Sequence, residues 1–187
     1  ASSGFPVKGL QSHITDGGSH AMELVIVGVC GPAGSSESPL LLIDAAYTNY
    51  KSFAERTGRA TVSVQRALQE YGKFTLPDLS EIERVIESAR PGAMVVIPYD
   101  NPTGHFYDQD TLMQLGRLCV RHNLWMISDE AYRELFYTKG VTSSVWGLSE
   151  EDVPGITGRR ISIETTSKVW NACGLRIGAI VSDNPEY

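Results

Sequence analysis

Short, unbroken apolar runs alternate along this chain with longer stretches whose apolar positions recur every three or four residues. "LLLIDAA" (40–46), bounded by a Gly/Ser/Pro loop, reads as a strand. "AMVVIP" (93–98) and "LWMIS" (124–128) are continuous apolar strands, of the kind buried on both faces in a parallel sheet. "ATVSVQ" (60–65) alternates, and "RRISIE" (159–164) and "IGAIVS" (177–182) close the series. Between them lie helical patterns. "AMELVIVGVC" (21–30) follows a glycine turn and predicts a buried helix, and "YTNYKSFAERTG" predicts one ending at its glycine. In "LPDLSEIERVIESARPG", Leu79, Ile82, Val85 and Ile86 fall on one face, and Asp78 or Ser80 is placed to cap the helix. "DQDTLMQLGRLCVRHN" predicts a second amphipathic helix. Strands alternating with helices of this length predict an α/β fold with helices on both faces of a mainly parallel sheet, three layers in all.

Composition narrows the function classes. The chain has 187 residues, enough for one domain with a substantial core, and 42% are hydrophobic. A net charge of −6 without a Lys/Arg cluster argues against a nucleic acid partner. No apolar run approaches the roughly 18 to 20 residues of a membrane span, so no membrane partner is expected. The start, "ASSGFPVKGLQ", lacks the regions of a signal peptide. Cys30, Cys119 and Cys173 form no Cys-x-x-Cys pair, which fits free thiols and predicts a cytoplasmic location. The four histidines are scattered, and no metal site is predicted.

In open α/β sheets, ligands bind at the carboxyl ends of the strands, so the polar residues found there carry the chemistry. After "LLLIDAA" comes Tyr47; after "MVVIPYD", Asn101-Pro102-Thr103-Gly104; after "LWMIS", Asp129 to Tyr132; after "RRISIE", Thr165 to Lys168. Ahead of the first helix stands "TDGGSHA", whose glycines free backbone N–H groups for an anion. Each feature alone has a plainer reading. Asn-Pro-Thr-Gly is a common turn, Asp129 could be a helix cap, Tyr47 could be core, and a lone lysine is usually solvated. Trp170, Cys173 and Leu175 read as packing residues, and His20 and His105 carry no assigned role. Together, an anion cradle, an aromatic ring, an amide, a carboxylate, a phenol and a lysine match the needs of pyridoxal phosphate.

"DNPTG", "SDEAYRELFY" and "TTSKVWNACGLRIG", in this order, resemble the fold type I, pyridoxal-phosphate-dependent aminotransferases of class I/II, the aspartate aminotransferase superfamily. The resemblance runs from about Ile14 to Ser182. It implies that Lys168 is the Schiff-base lysine and proton shuttle and that Asp129 pairs with the pyridine nitrogen. Asn101 and Tyr132 would hydrogen-bond the phenolic oxygen, and Tyr47 would stack on the ring. Gly18 and Ser19, through backbone N–H groups, would bind the phosphate with Thr165 and Arg176. Ala45 stands where members of the family often carry proline. The family further implies amino acid and 2-oxo acid substrates, a homodimer, and roughly twice this length. Residues 1–187 are therefore expected to be the cofactor-binding large domain, without an N-terminal segment and a C-terminal small domain. Two other readings share the same residues: a carbon–sulfur β-lyase, and a non-catalytic cofactor-sensing regulatory domain.

Overall fold

The computed structural model describes residues 4–135, 137 and 142–187; Ala1–Ser3 of the leading segment and Phe136 of the "SDEAYRELFY" run lie outside them. Nine strands are present among the described residues: β1 (Gln11–Asp16), β2 (Leu40–Asp44), β3 (Thr61–Gln65), β4 (Ala67–Leu68), β5 (Phe74–Thr75), β6 (Ala93–Val96), β7 (Trp125–Asp129), β8 (Arg160–Thr165) and β9 (Ile177–Ser182). Four helices intervene: α1 (Gly17–Val29), α2 (Asn49–Arg56), α3 (Leu79–Ala89) and α4 (Gln109–Arg121).

Seven strands form one sheet in the order β1-β9-β8-β7-β6-β2-β3, and β4 and β5 make a separate hairpin. The pairs β2–β3, β2–β6, β6–β7 and β7–β8 are parallel. β9 runs antiparallel to both β8 and β1. The predicted mainly parallel sheet is therefore present, with an antiparallel margin.

The alternation of side chains along each strand builds two cores. Leu41 and Ile43 of β2, Met94 and Val96 of β6 and Met126 of β7 point to one face, against Ile82 and Ile86 of α3 and Leu112, Leu115 and Leu118 of α4. Leu40, Leu42, Ala93, Val95 and Ile127 point to the other, against Met22, Val25 and Ile26 of α1 and Tyr50 and Phe53 of α2. This is why β6 is apolar throughout and β2 is apolar up to Asp44: both faces are covered. Each fully buried Leu or Ile contributes about 1.5–3 kcal/mol.

Several boundaries differ from the sequence reading. α1 begins at Gly17 rather than Ala21, because the glycine pair is the first helical turn itself rather than a turn before it. Asp78 is the N-cap of α3, but its side chain makes no capping hydrogen bond, and Leu79 is exposed rather than on the buried face. β2 and β6 end at Asp44 and Val96, short of the predicted 46 and 98, although Ala46, Ile97 and Pro98 remain buried. β1 and the β4–β5 hairpin had no predicted counterpart.

Candidate active site

In the parallel part of the sheet, β3 and β6 flank β2, so the chain order reverses direction between β2 and β6. The carboxyl ends of β2, β6, β7 and β8 open on one side of this reversal, where side chains from different strands meet. A cleft of about 190 Å³ lies there. Its lining includes Gly18, Ser19, Tyr47, Asn101, Asp129, Tyr132, Thr165, Lys168 and Arg176, so every site residue expected from the sequence faces the same space. Tyr50, Ile97, Ala131, Ile163 and Ser167 complete it.

One end of the cleft brings backbone donors and a guanidinium together. The N–H groups of the first α1 turn have no partner within the helix, and Asp16, at the N-cap, makes no side-chain cap. Gly17 has φ +70°, and a Cβ there would overlap the Arg176 guanidinium. Gly178 lets β9 pass against the same turn, since a Cβ on it would strike the Gly17 backbone. Arg176 Nη2 donates to the Asp16 carbonyl at 3.4 Å, and its Nε lies 3.5 Å from Asp16 Oδ1. Both side chains are substantially exposed, so this ion pair is weak and leaves the guanidinium able to turn to an incoming anion. Thr165 Oγ1 donates to Ser167 Oγ at 2.8 Å and accepts from the Ser167 N–H at 3.2 Å, which curls the chain after β8 back toward α1.

The floor of the cleft is a carboxylate. Asp129 ends β7; its Oδ1 accepts from the Ala131 N–H at 3.0 Å and its Oδ2 accepts from the Tyr50 hydroxyl. Burial pushes the Asp129 carboxyl above the usual carboxylate range, opposed by the Tyr50 and Ala131 donors; the Glu164 charge adds to the rise and Lys168 opposes it. Both hydrogen-bond partners are neutral donors, so neither supplies a counter-charge, and a cationic ligand group would complement the ionised carboxylate. Tyr50 was not singled out by the sequence reading. It lies three residues after Tyr47, and the two rings meet edge to face with centroids 5.5 Å apart.

The remaining side chains are held by turns after β6, β7 and β8. Around Asn101, the Gly104 N–H donates to the Asp100 carbonyl at 2.9 Å and the Asp100 N–H to the His105 carbonyl at 3.0 Å. Arg66 anchors this turn from below, its Nη2 lying 3.2 Å from Asp100 Oδ1, with both side chains buried. Beside Tyr132, Arg133 forms a two-bond clamp on Glu164 at 3.0 and 2.8 Å and reaches Glu130 at 3.0 Å. That network ties the turn after β7 to the end of β8. Lys168 Nζ lies 5.5 Å from the Tyr132 ring centroid.

Away from the cleft, Glu83, Glu87 and His122 bring three potential ligand atoms within 4.8 Å of one another. Glu83 is already engaged by His122 at 2.8 Å and Arg121 at 2.5 Å. His122 and then Arg121 hold its carboxyl below the usual range.

Comparison with known proteins identifies a family. Residues 12–187 match the family model described as aminotransferase class I and II. A Leptosphaeria maculans protein named "probable aminotransferase sirI" is 30% identical over 175 residues, covering 90% of this chain and 41% of that protein. The aspartate/prephenate aminotransferase of Thermus thermophilus is 27% identical over 172 residues, covering 91% of this chain and 42% of its own length. Among solved structures, the pyridoxal-phosphate-bound C–S lyase of Staphylococcus hominis superposes with a TM-score of 0.81 at 18% identity, covering 97% of this chain and 43% of that one. The chain thus spans less than half the length of these relatives. A family match over nearly the whole chain, on a sheet whose strand ends gather the expected side chains, leads to one conclusion: the chain belongs to the aminotransferase class I and II family.

Proposed function

We propose that the cleft binds pyridoxal 5'-phosphate and that the protein transfers amino groups between an amino acid and a 2-oxo acid, with Lys168 as the covalent cofactor lysine. The observation that carries this reading is the convergence of Lys168, Asp129, Tyr47 and the open α1 N-terminus on one cleft. The residues fit the cofactor's parts. The free N–H groups of Gly18 and Ser19, with Thr165 and Arg176, would hold a phosphate. The Asp129 carboxylate, with neutral donors as its hydrogen-bond partners, matches a protonated ring nitrogen. Asn101 and Tyr132 would donate to the phenolic oxygen, and the Tyr47 ring would cover one face.

When bound, the cofactor supplies an aldehyde and a ring that draws electrons from the substrate's α-carbon. Among the described residues, Lys168 is the only lysine lining the cleft, and its amine would serve first as nucleophile and then as the base that carries the α-proton. Asp129 would hold a proton on the ring nitrogen and so keep the electron-drawing charge in place. Arg176 and the α1 turn would anchor the far end and set the reacting atoms in register with Lys168.

A second reading, carbon–sulfur β-elimination, is favoured by one observation: the fold matches a C–S lyase closely. The full-length protein separates them. Borohydride reduction followed by peptide mapping should recover the cofactor on Lys168, and label on another lysine overturns the site. Glutamate formation from 2-oxoglutarate supports transfer, whereas release of pyruvate and ammonia from cysteine conjugates supports elimination.

A further inference from the structure

Tyr50 is among the largest fully buried side chains, yet its hydroxyl reaches the floor of the cleft and donates to Asp129 Oδ2. Burial, and next the Asp129 charge beside it, push the Tyr50 phenol far above its ordinary range, so it remains a donor at any physiological pH. Asp129 Oδ1 meanwhile accepts from the Ala131 N–H at 3.0 Å. The two oxygens are thus held from different elements, one by the first turn of α2 and one by the turn after β7. This leaves the carboxylate a single orientation. Just ahead of α2 stands Tyr47, whose hydroxyl accepts from Asn49 Nδ2 at 2.9 Å and whose ring packs edge to face on Tyr50.

Resting on the cofactor reading above, we infer that Tyr50 is a positioning residue: its hydroxyl locks Asp129 in the orientation that meets the ring nitrogen, and its ring braces Tyr47 over the ring face. The short segment from Tyr47 into the first turn of α2 would therefore hold both groups that meet the ring. The charged and titratable groups facing this pair are Asp100 and Tyr47 toward Tyr50, and Glu164 and Lys168 toward Asp129. All four remain in place when only the Tyr50 hydroxyl is altered.

The test uses two changes at one atom. Tyr50→Phe removes the donor and keeps the ring; 3,5-difluorotyrosine at position 50 keeps the ring and strengthens the donor. The Asp129 carboxyl is followed in the cofactor-free protein by its ¹³Cγ resonance, assigned by its loss in Asp129→Asn. Tyr50→Phe should move the Asp129 titration upward and the fluorinated residue should move it downward. A packing role alone gives no such opposed pair. Cofactor affinity, read from the visible absorbance on titration, should fall about ten- to hundredfold in Tyr50→Phe, the loss expected for one hydrogen bond to a charged group. Unchanged titration of Asp129 in both variants, with wild-type cofactor affinity and the cofactor on Lys168, overturns the role of Tyr50. Cofactor recovered on a different lysine overturns the cofactor reading instead.

Discussion

Gly17 combines two requirements that only glycine meets: a left-handed φ of +70° and no side chain where the Arg176 guanidinium lies. Gly17→Ala should push Arg176 aside and strain the first turn of α1. Its expected outcome is a loss of cofactor affinity of about tenfold or more, as one charge-assisted contact is lost, measured by spectroscopic titration. Asp129→Ala should leave the fold largely intact and reduce turnover on the order of 10² to 10⁴, the cost of removing a charge that stabilises the transition state; steady-state kinetics of the full-length protein checks it. These residues were legible in the sequence because each follows an apolar strand or opens a helix. Tyr50 was not. In "YTNYKSFAERTG" it reads as an aromatic on the buried face of a helix, which it also is. That its hydroxyl crosses to Asp129, 79 positions away, depends on how α2 lies over the sheet, and no local pattern encodes that.

At the scale of elements, what the sequence made legible was everything with an apolar face. The β2, β6 and β7 runs and the α3 and α4 stripes are buried and were anticipated; β1, "QSHITD", is exposed at all but one position and carries no alternation to read. The short β4–β5 hairpin is exposed or half-buried and gives equally little signal. Caps follow local chemistry more faithfully. Asp108 accepts from the Thr111 N–H at 2.8 Å at the start of α4. Asp108→Ala should therefore cost about 1 kcal/mol, read as a lower denaturant midpoint. The loop before β8 carries an acid-sensitive tie: Glu150 accepts from the N–H groups of Gly155 and Thr157, each at 2.7 Å. The Thr157 side chain, and then the Gly155 and Thr157 N–H groups, hold its carboxyl down to about 2. With the folded value depressed, its stabilisation is present above the unfolded carboxylate range and is lost as pH falls through about 2. Glu150→Gln should flatten that part of the acid-unfolding curve; an unchanged curve refutes the tie.

For the molecule as a whole, the open cleft sets the expected behaviour of these 187 residues in isolation. Lys168, Ser19 and Arg176 are exposed, and Ile14, Trp170 and Leu175 are each about two-thirds or more exposed. Transfer chemistry needs bound groups oriented and water excluded. The isolated chain should therefore bind the cofactor yet turn over little substrate, and its exposed apolar surface should drive self-association. Cofactor titration, a coupled transamination assay and light scattering test the three parts; turnover equal to that of the full-length protein would refute the second.

The place of β9 between β1 and β8 also orders events in time. Among the described residues β1 pairs with β9 alone, so it stays unpaired until β9 exists. Asp16 and Arg176, whose contact closes the anion end of the cleft, are 160 positions apart. During synthesis at roughly 5–20 residues per second, the strands from β2 to β8 have emerged before either end of that contact has its partner. The nascent chain thus gains its central sheet first and its cofactor cradle last. On the proposed reading, the cofactor would meet a chain whose long-range closure is already in place.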